Sequence, residues 1–254
     1  MMKKIFVVLF AVLMAFAPSC YAEDMTALGG NNNVYVGDEN ASFLSEDEIP
    51  TGAKFLPLPP KPGEDAFYND WRRYEWGKTM RDTERGQQAA KDAVHTMEYF
   101  SEIYSEPFGL TISQENTPEI YKLLERILAT TRMCNQKSKS RLMRTRPFAQ
   151  FHEPTPVPED EERLSTNSSY PSGHTSMGWA IALVLAEINP ARQDEILKRG
   201  FEYGESRVIV GFHYQSDVDA ARVITSALVN AMHTKDDFKN QMQKAKDEFS
   251  RLSM

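Results

Sequence analysis

Cysteine is scarce in this sequence, which has two, Cys20 and Cys134, among 254 residues. We expect Cys20 to be removed with an N-terminal signal segment, so that one thiol remains in the mature chain. A single thiol excludes an intramolecular disulfide and a cysteine-rich zinc site. The fold must therefore be stabilised by packing, and 254 residues with 41% hydrophobic composition are enough for one domain with a sizeable core.

Long apolar runs are missing after the N-terminal segment, and no later stretch approaches the roughly 20 apolar residues of a membrane-spanning helix. The chain starts Met-Met-Lys-Lys, continues with an apolar run over residues 5–17 and reaches a small residue at Ala22. This pattern predicts a signal peptide over residues 1–22, and hence a periplasmic or secreted protein without a membrane span. A lipid anchor at Cys20 is the less favoured alternative, because the residues before it match a lipoprotein signal poorly.

Basic residues are outnumbered: 29 Lys and Arg against 36 Asp and Glu give a formal net charge of −7. An acidic surface argues against a nucleic-acid duplex or an anionic membrane as partner, since both bind basic faces. No His-x-x-x-His pair and no cysteine cluster occurs in the sequence. We therefore expect neither nucleic-acid binding nor a metal site.

Alternating β-strand patterns are missing too, and from Phe67 onwards apolar residues recur at three- and four-residue steps. We expect an extended N-terminal arm over residues 23–62, rich in Gly, Asn and Pro, and a single all-α domain over residues 63–254. An amphipathic helix is predicted within residues 78–104. Further helices are predicted from Thr117-Pro118, after Asn189-Pro190 over residues 196–210, and over residues 218–232 and 238–252.

The first cluster of candidate functional residues is a basic segment that runs up to Pro147. Lys139 and Arg146 are seven residues apart, so on one helix, stopped by Pro147, both cations would project from the same face and could clamp an anion. Arg144 and other cations lie nearby in the sequence. Taken alone, the segment is better explained as a solvated basic face.

The second cluster is Ser172-Gly173-His174, which follows Pro171 and precedes an apolar, helix-like stretch over residues 178–188. A turn that leads into a helix presents unpaired backbone N–H groups and the positive end of the helix dipole, which suits an anion. Ser172 adds a hydroxyl donor, and Gly173 allows a close approach to the backbone. His174 would lie at the rim of this cradle, although a histidine here could also merely cap the turn.

The third cluster joins Arg207, near the end of one helix, to His213 and Asp217 beyond Gly211. If His213 opens the next helix, the carboxylate of Asp217 lies beside its imidazole. An acid bonded to one ring nitrogen fixes the tautomer and leaves the other nitrogen free as a nucleophile. A capping histidine with an ordinary ion pair is the simpler explanation of this segment alone.

Together the three clusters supply what phosphoryl transfer needs: cations for the nonbridging oxygens, a nucleophile and an acid for the leaving group. Their order resembles the signature of the type 2 phosphatidic-acid-phosphatase superfamily, to which vanadium haloperoxidases belong: Lys139-x6-Arg146-Pro147, Pro171-Ser172-Gly173-His174 and Ser206-Arg207-x5-His213-x3-Asp217. More narrowly, the chain from about residue 55 to about 233 is similar to the class A bacterial non-specific acid phosphatases. The segments that carry this likeness are residues 55–60, 83–86, 169–175, 204–207 and 215–219.

The resemblance implies a compact helical fold, a periplasmic location, an acidic pH optimum, phosphate monoesters as small-molecule substrates, no metal or cofactor, and a homo-oligomer. It implies that His213 attacks phosphorus and becomes a phosphohistidine, that Asp217 orients it, and that His174 protonates the leaving group. The phosphate-binding residues that it implies are Lys139, Arg146, Ser172, Gly173 and Arg207. His95, His152 and His233 are expected to be structural.

Two departures from the family pattern stand out. A serine at 168 or 169 replaces a glycine, and Val210 replaces a cysteine, but neither belongs to the expected phosphate-binding set. Three alternatives to the phosphatase remain: a vanadate-dependent haloperoxidase, for which the chain is short, a lipid phosphatase, which would need membrane spans, and an inactive anion-binding helical protein. Phosphotransfer to alcohols or nucleosides is a conceivable side activity of the phosphatase.

Overall fold

Helices make up most of the computed structural model, which describes residues 41–139 and 142–254. These residues contain no β-strand, which confirms the expected all-α fold. The predicted signal peptide and Cys20 lie outside them. The helices are α1 (Asp65–Met80), α2 (Glu84–Lys91), α3 (Met97–Phe108), α4 (Pro118–Lys139), α5 (Pro147–Phe151), α6 (Glu161–Ser165), α7 (Gly173–Ile188), α8 (Gln193–Ile209), α9 (Gln215–Met232) and α10 (Asp236–Leu252).

Helix α7 is the central helix of the described fold. It is apolar on nearly all sides, as expected for a helix that is surrounded by others. Helices α4, α8 and α9 pack against it, α10 packs on α4, and α1, α2 and α3 pack against α8. None of the helices in the described ranges combines the length and apolar character that crossing a bilayer requires.

Small residues let α7 and α8 approach closely. A Cβ atom added to Gly200 of α8 would lie 2.5 Å from the Cβ of Ala182 in α7, and one added to Gly178 of α7 would collide with the ring of Tyr203 in α8. This close crossing brings Tyr203 against the first turn of α7. The packing of two helices therefore shapes the region in which the second and third sequence clusters meet.

The part of the predicted arm that the structure describes is attached to the helices. Phe43 and Ile49 are buried in the core, and the N–H of Phe43 donates to Thr130 Oγ1 over 3.0 Å. Further along, the carbonyl of Pro57 accepts a hydrogen bond of 2.6 Å from the hydroxyl of Tyr170. The segment therefore reaches the residues that precede α7. The arm's boundary at residue 62 remains a prediction.

The predicted helix within residues 78–104 is wrong as a single element. Thr83 caps α2 by accepting from the N–H of Gly86 at 3.3 Å, and Thr96 caps α3 by accepting from the N–H of Tyr99 at 3.2 Å. The apolar stripe thus spans two helices and the turn between them. His95, expected inside the helix, lies in that turn.

The prediction that Lys139 and Arg146 share a helix stopped by Pro147 is also wrong. Lys139 is the last residue of α4, whereas Arg146 is extended, with φ −73° and ψ 152°, and Pro147 begins α5. A residue before proline avoids helical angles, and proline suits the first position of a helix, because it lacks the N–H that would be unsatisfied there. The two cations therefore reach their common region from separate elements.

Candidate active site

The three sequence clusters converge where α7 begins. Lys139 Nζ donates to the carbonyl of Ser168 over 2.9 Å, and the N–H of Ser172 donates to the carbonyl of Asp217 over 3.1 Å. Arg146 Nη1 lies 2.9 Å from His213 Nε2. Segments far apart in the sequence thus form one cluster, as the prediction of a joint site requires.

The start of α7 has the features of an anion cradle. Ser172 is its N-cap residue, and its Oγ accepts from the N–H and the hydroxyl of Thr175 at 3.4 and 2.9 Å. Because Oγ accepts both bonds, its own proton is available to a ligand. A Cβ on Gly173 would lie 3.3 Å from Asn135 Nδ2 and 3.7 Å from Lys139 Cε, so glycine keeps this approach open. The predicted turn into a helix is confirmed.

Arg146 is held rigidly in the interior. Its guanidinium donates to the carbonyls of Leu164 and Phe212 at 2.9 and 3.0 Å and to Asn167 Oδ1 at 2.5 Å, in addition to His213. Burial lowers its pKa to about 9, so the group stays charged at acidic and neutral pH. Such a guanidinium is fixed before a ligand arrives.

Two further cations are the buried Arg207 and the half-buried Lys139. Arg207 lies in the last turn of α8, as predicted, and donates from Nη1 to the carbonyl of Asp92 at 3.4 Å, while its buried Nε has no hydrogen-bond partner among the described residues. Burial lowers its pKa to about 10. Burial and the nearby charge of Arg146 lower the pKa of Lys139 well below its usual value. A bound anion would give these cations the opposite charge and the hydrogen-bond acceptors that they lack when they are shielded from water.

His213 precedes α9 rather than opening it. The helix begins at Gln215, with Tyr214 as N-cap, and the N–H of His213 donates to the carbonyl of Arg207 at 3.1 Å. Arginine can only donate, so the short contact from Arg146 requires an unprotonated Nε2 on His213. Its proton is therefore on Nδ1, and burial followed by the charge of Arg146 lowers the pKa of the imidazole well below its ordinary value.

Asp217 is close to this Nδ1, although the contact is long. Its Oδ2 lies 3.4 Å from Nδ1, and the hydroxyl of Ser169, also 3.4 Å from Nδ1, donates a short hydrogen bond to the same Oδ2. Oδ2 further accepts from the N–H of Tyr214 at 2.8 Å, because Asp217 is the third residue of α9 and caps its start. The two side chains therefore come together by capping, and Ser169 links them.

Arg144 is a functional candidate that the sequence interpretation missed. It was assigned to a solvated basic face, yet it is buried and donates to Asp217 Oδ1 at 2.5 Å and to Asp70 Oδ2 at 2.7 Å. Burial raises the pKa of Asp217, and the charge of Arg144 opposes that rise. No motif or spacing in the sequence connects Asp70 with Arg144 or Asp217, because Asp70 precedes Arg144 by 74 residues. Arg144 therefore holds the carboxylate that faces His213.

His174, in the first turn of α7, is fixed by its ring. Its Nε2 donates to the carbonyl of Ala93 at 2.8 Å, and the ring lies between those of His95 and Tyr203, with centroid distances of 4.1 and 5.9 Å. Burial and the charge of Arg207 lower its pKa well below the ordinary value. Because Nε2 faces a carbonyl, Nδ1 is the nitrogen that remains for a substrate.

The turn between α2 and α3 carries this arrangement on its main chain. Three consecutive carbonyls each accept a hydrogen bond from a side chain of the site: Asp92 from Arg207, Ala93 from His174, and Val94 from the hydroxyl of Tyr203 at 2.9 Å. The carboxylate of Asp92 is itself buried and accepts from Arg199 at 2.5 Å and Ser206 at 2.6 Å. The hydrogen bonds to the Asp92 carboxylate therefore hold the turn in place.

The serines that depart from the family pattern contact the site, contrary to expectation. The carbonyl of Ser168 accepts from Lys139 and, at 3.3 Å, from Arg146, and the hydroxyl of Ser169 contacts Asp217 and His213. Val210, by contrast, is buried in an apolar cluster with Phe148 and Phe212. Its side chain fills space beside the site.

The other histidines differ in their distance from these groups. His152 ends α5 in the left-handed conformation with φ 55°, and His233 at the end of α9 lies 3.0 Å from Glu187. His95 is the exception, because its ring contacts His174. Within residues 41–139 and 142–254, no group of three His, Cys, Asp or Glu side chains is arranged to hold a metal ion.

Comparison with known proteins identifies the family. Residues 123–240 match the PAP2 superfamily. The chain is 47% identical to a non-specific acid phosphatase of Providencia stuartii over 211 residues, 83% of this chain and 85% of that protein. It is 38% identical to a non-specific acid phosphatase of Salmonella typhimurium over 82% of this chain and 84% of that protein, and 31% identical to an acid phosphatase of Zymomonas mobilis over 78% and 75%. The chain therefore belongs to the class A bacterial non-specific acid phosphatases of the PAP2 superfamily.

Proposed function

We propose that this protein is an acid phosphatase that hydrolyses a broad range of phosphate monoesters through a phosphohistidine on His213. The observation that carries the proposal is the unprotonated Nε2 of His213, held 2.9 Å from Arg146 in the cluster that also contains the buried Arg207 and the half-buried Lys139. A lone pair beside groups that bind phosphoryl oxygens is the arrangement of a phosphoryl acceptor. The named relatives, all acid phosphatases, support it.

In the first step, Nε2 of His213 attacks phosphorus, the N–P bond forms and the ester P–O bond breaks. Arg146 exchanges its hydrogen bond to Nε2 for one to a phosphoryl oxygen, and Lys139, Arg207, the Ser172 hydroxyl and the N–H of Gly173 bind the remaining charge. The imidazole becomes cationic as it is phosphorylated. Asp217 and Ser169, which face the proton on Nδ1, stabilise that charge.

His174 serves the leaving group. Its Nδ1–H protonates the departing alkoxide while Nε2 remains on the Ala93 carbonyl. In the second step, neutral His174 accepts a proton from water, which attacks phosphorus and breaks the N–P bond, and inorganic phosphate and free His213 result. An alcohol in place of water would give a phosphate ester, which accounts for a phosphotransferase side activity.

An acidic optimum follows from the same groups. Burial and Arg207 lower the pKa of His174, so a large protonated fraction requires acidic solution. The negative charge of a bound phosphoryl group raises that pKa again and favours protonation in the complex. Because three cationic side chains stabilise the phosphoryl oxygens, we propose that no metal or other cofactor takes part.

A panel assay tests the function. Nucleotides, sugar phosphates and p-nitrophenyl phosphate are offered between pH 4 and 8 to the purified protein, and released phosphate is measured. Hydrolysis of most of the panel at acidic pH is expected. Binding of phosphate without any hydrolysis would point to an inactive anion-binding protein, and vanadate-dependent bromide oxidation would point to a haloperoxidase.

We further propose that residues 1–22 are a signal peptide and that the mature protein is periplasmic or secreted, with a lipid anchor at Cys20 as the less favoured alternative. A homo-oligomer is proposed from the family resemblance, and Tyr68 and Trp71, which stack on each other and are 57% and 38% exposed, are candidates for its contact surface. N-terminal sequencing of exported protein and sedimentation equilibrium of wild type and Trp71→Ala test these points. An intact N-terminus or a monomer at all concentrations would contradict them.

A further inference from the structure

We infer that His95 is a positioning residue for His174, which holds the proton donor in place and restricts the two rings to one shared positive charge. The inference deepens the proposed function and rests on it. None of the three phosphate-binding clusters contains His95, and its sequence position suggested a structural role. Its location in the structure is different, since it forms one wall of the space around His174.

The contacts of the two rings are close and specific. Their centroids are 4.1 Å apart with an interplanar angle of 61°, and both rings turn a nitrogen toward the same acceptor. Nε2 of His174 lies 2.8 Å and Nδ1 of His95 lies 3.4 Å from the carbonyl of Ala93. The ring of Tyr203 stacks on that of His174 at a centroid distance of 5.9 Å. His174 cannot rotate without displacing one of these neighbours.

The support behind His95 is rigid. Its turn is pinned at one end by Asp92, whose carboxylate accepts from Arg199 and Ser206, and at the other end by Thr96, which caps α3. His95 itself is buried. A ring on such a support transmits a fixed orientation to the ring that it touches.

Two imidazoles at this distance cannot both be charged in a buried, cation-rich site. The charged and titratable groups that face them are mostly positive or neutral: Arg207, His213 and Tyr203 near His174, and Arg163, Arg207 and Asp160 near His95. Burial lowers the pKa of both rings, to about 4 for His95 and well below the ordinary value for His174, but only His174 lies in the first turn of α7, next to the phosphate cradle. When a phosphoryl group binds, its negative charge therefore favours the one proton of the pair on His174.

This arrangement matters most for poor leaving groups. An alkoxide needs the proton of His174 as the P–O bond breaks, whereas p-nitrophenolate leaves without it. Loss of the His95 ring should release His174 from its orientation and penalise alkyl esters selectively. It should also move the midpoint of the basic limb of the pH profile to lower pH, because the pair binds its one proton with a higher apparent pKa than His174 alone.

The test uses His95→Leu, which preserves apolar volume, and His95→Asn, whose amide keeps a donor near the Nδ1 position without a titrating ring. The quantity measured is kcat/KM for glycerol 2-phosphate and for p-nitrophenyl phosphate across pH, which reports the steps up to phosphoenzyme formation. We expect both variants to lose about tenfold more on glycerol 2-phosphate than on p-nitrophenyl phosphate. The midpoint of the basic limb of the glycerol 2-phosphate profile should move to lower pH.

His233→Gln is the matched control, since that histidine is partly exposed and pairs with Glu187 at the other end of α9. This variant should change neither the ratio of the kcat/KM values for the two substrates nor the basic limb of the pH profile. Circular dichroism and thermal unfolding show which variants fold, and His95→Asn keeps the test open if His95→Leu does not. Equal losses on both substrates, no loss at all, or a basic limb that stays in place in a folded variant would overturn the inference.

His174→Asn separates this inference from the proposed function. It should show the same selective loss on glycerol 2-phosphate, only larger. If His174→Asn is selective and the His95 variants are not, His95 is merely structural and the proposed function stands. If His174→Asn loses both substrates equally, or the wild type hydrolyses neither, the proton-donor assignment fails and the inference fails with it.

Discussion

Arg146 donates a hydrogen bond of 2.9 Å from Nη1 to the Nε2 of His213. The cation that is expected to bind phosphate is thus in direct contact with the nitrogen that is expected to attack it. The contact selects one tautomer of His213, with its proton on Nδ1 toward Asp217 and Ser169. In the proposed mechanism, Arg146 therefore orients the nucleophile in addition to binding phosphate.

His213→Ala should abolish turnover and remove covalent labelling. With a 32P-labelled phosphomonoester and rapid alkaline quenching, the wild type is expected to carry alkali-stable, acid-labile label on His213. His174→Asn should still form the phosphoenzyme from p-nitrophenyl phosphate, because that leaving group needs no proton, but should release phosphate slowly. Robust label on the His213→Ala protein would refute the nucleophile assignment.

Arg144→Gln should destabilise the protein severely. The substitution leaves Asp217 and Asp70 buried without their shared cation, and breaking a buried ion pair on one side costs about 3–5 kcal/mol of the free energy of unfolding. Urea unfolding followed by circular dichroism measures the loss. Arg251→Gln, an exposed arginine at the end of α10, is the matched control and should change stability by less than about 0.5 kcal/mol. Similar small effects in both variants would contradict the role of Arg144.

The free energy of unfolding should fall as the pH is lowered from 6.5 toward 4. His95 has a pKa of about 4 in the folded protein, below its ordinary value of 6.5, because it is buried. Between these values the unfolded chain binds the proton and the folded chain does not, so one such group costs about 1.4 kcal/mol per pH unit. His174 and His213, whose pKa values are lowered by burial as well, add to the slope.

Urea titrations at several pH values give that slope for wild type and His95→Leu. In His95→Leu the slope near pH 5 should be smaller by about 1.4 kcal/mol per pH unit, since one proton fewer is taken up on unfolding. An unchanged slope in His95→Leu would mean that His95 is already protonated in the folded protein.

Chelators should leave the activity unchanged. The oxygens of a phosphoryl group would be held by Lys139, Arg146 and Arg207, and within the described residues no cluster of ligands suits a metal ion. Hydrolysis of p-nitrophenyl phosphate after dialysis against EDTA, with and without added Mg²⁺ or Zn²⁺, measures this. Loss of activity that a divalent ion restores would show that a metal takes part.

Much of the fold could be predicted because its signals are local. Thr117-Pro118 and the apolar periodicity of α9 and α10 depend on neighbouring residues, and the structure confirms these elements. The break between α2 and α3 was missed, since an apolar stripe can continue across a turn when both helices pack against the same core. The caps at Thr83 and Thr96 were the local signal that would have revealed it.

The site was predictable where chemistry fixes residue types and not where the fold brings distant residues together. Spacing pointed to Ser172, His174 and Asp217, and the structure brings these into one cluster. Arg144 resembles any surface arginine until Asp70, 74 residues away in sequence, is found beside it. His95 likewise gains its significance only from the ring of His174, which no local pattern indicates.

The carbonyls of Asp92, Ala93 and Val94 hold three side chains of the site through atoms that every amino acid possesses. Substitution at positions 93 and 94 therefore leaves those hydrogen bonds available, provided that the backbone keeps its path. A deletion or insertion of one residue would shift all three acceptors at once. The length of the turn is therefore constrained, whereas the side chains at positions 93 and 94 do not take part in these hydrogen bonds.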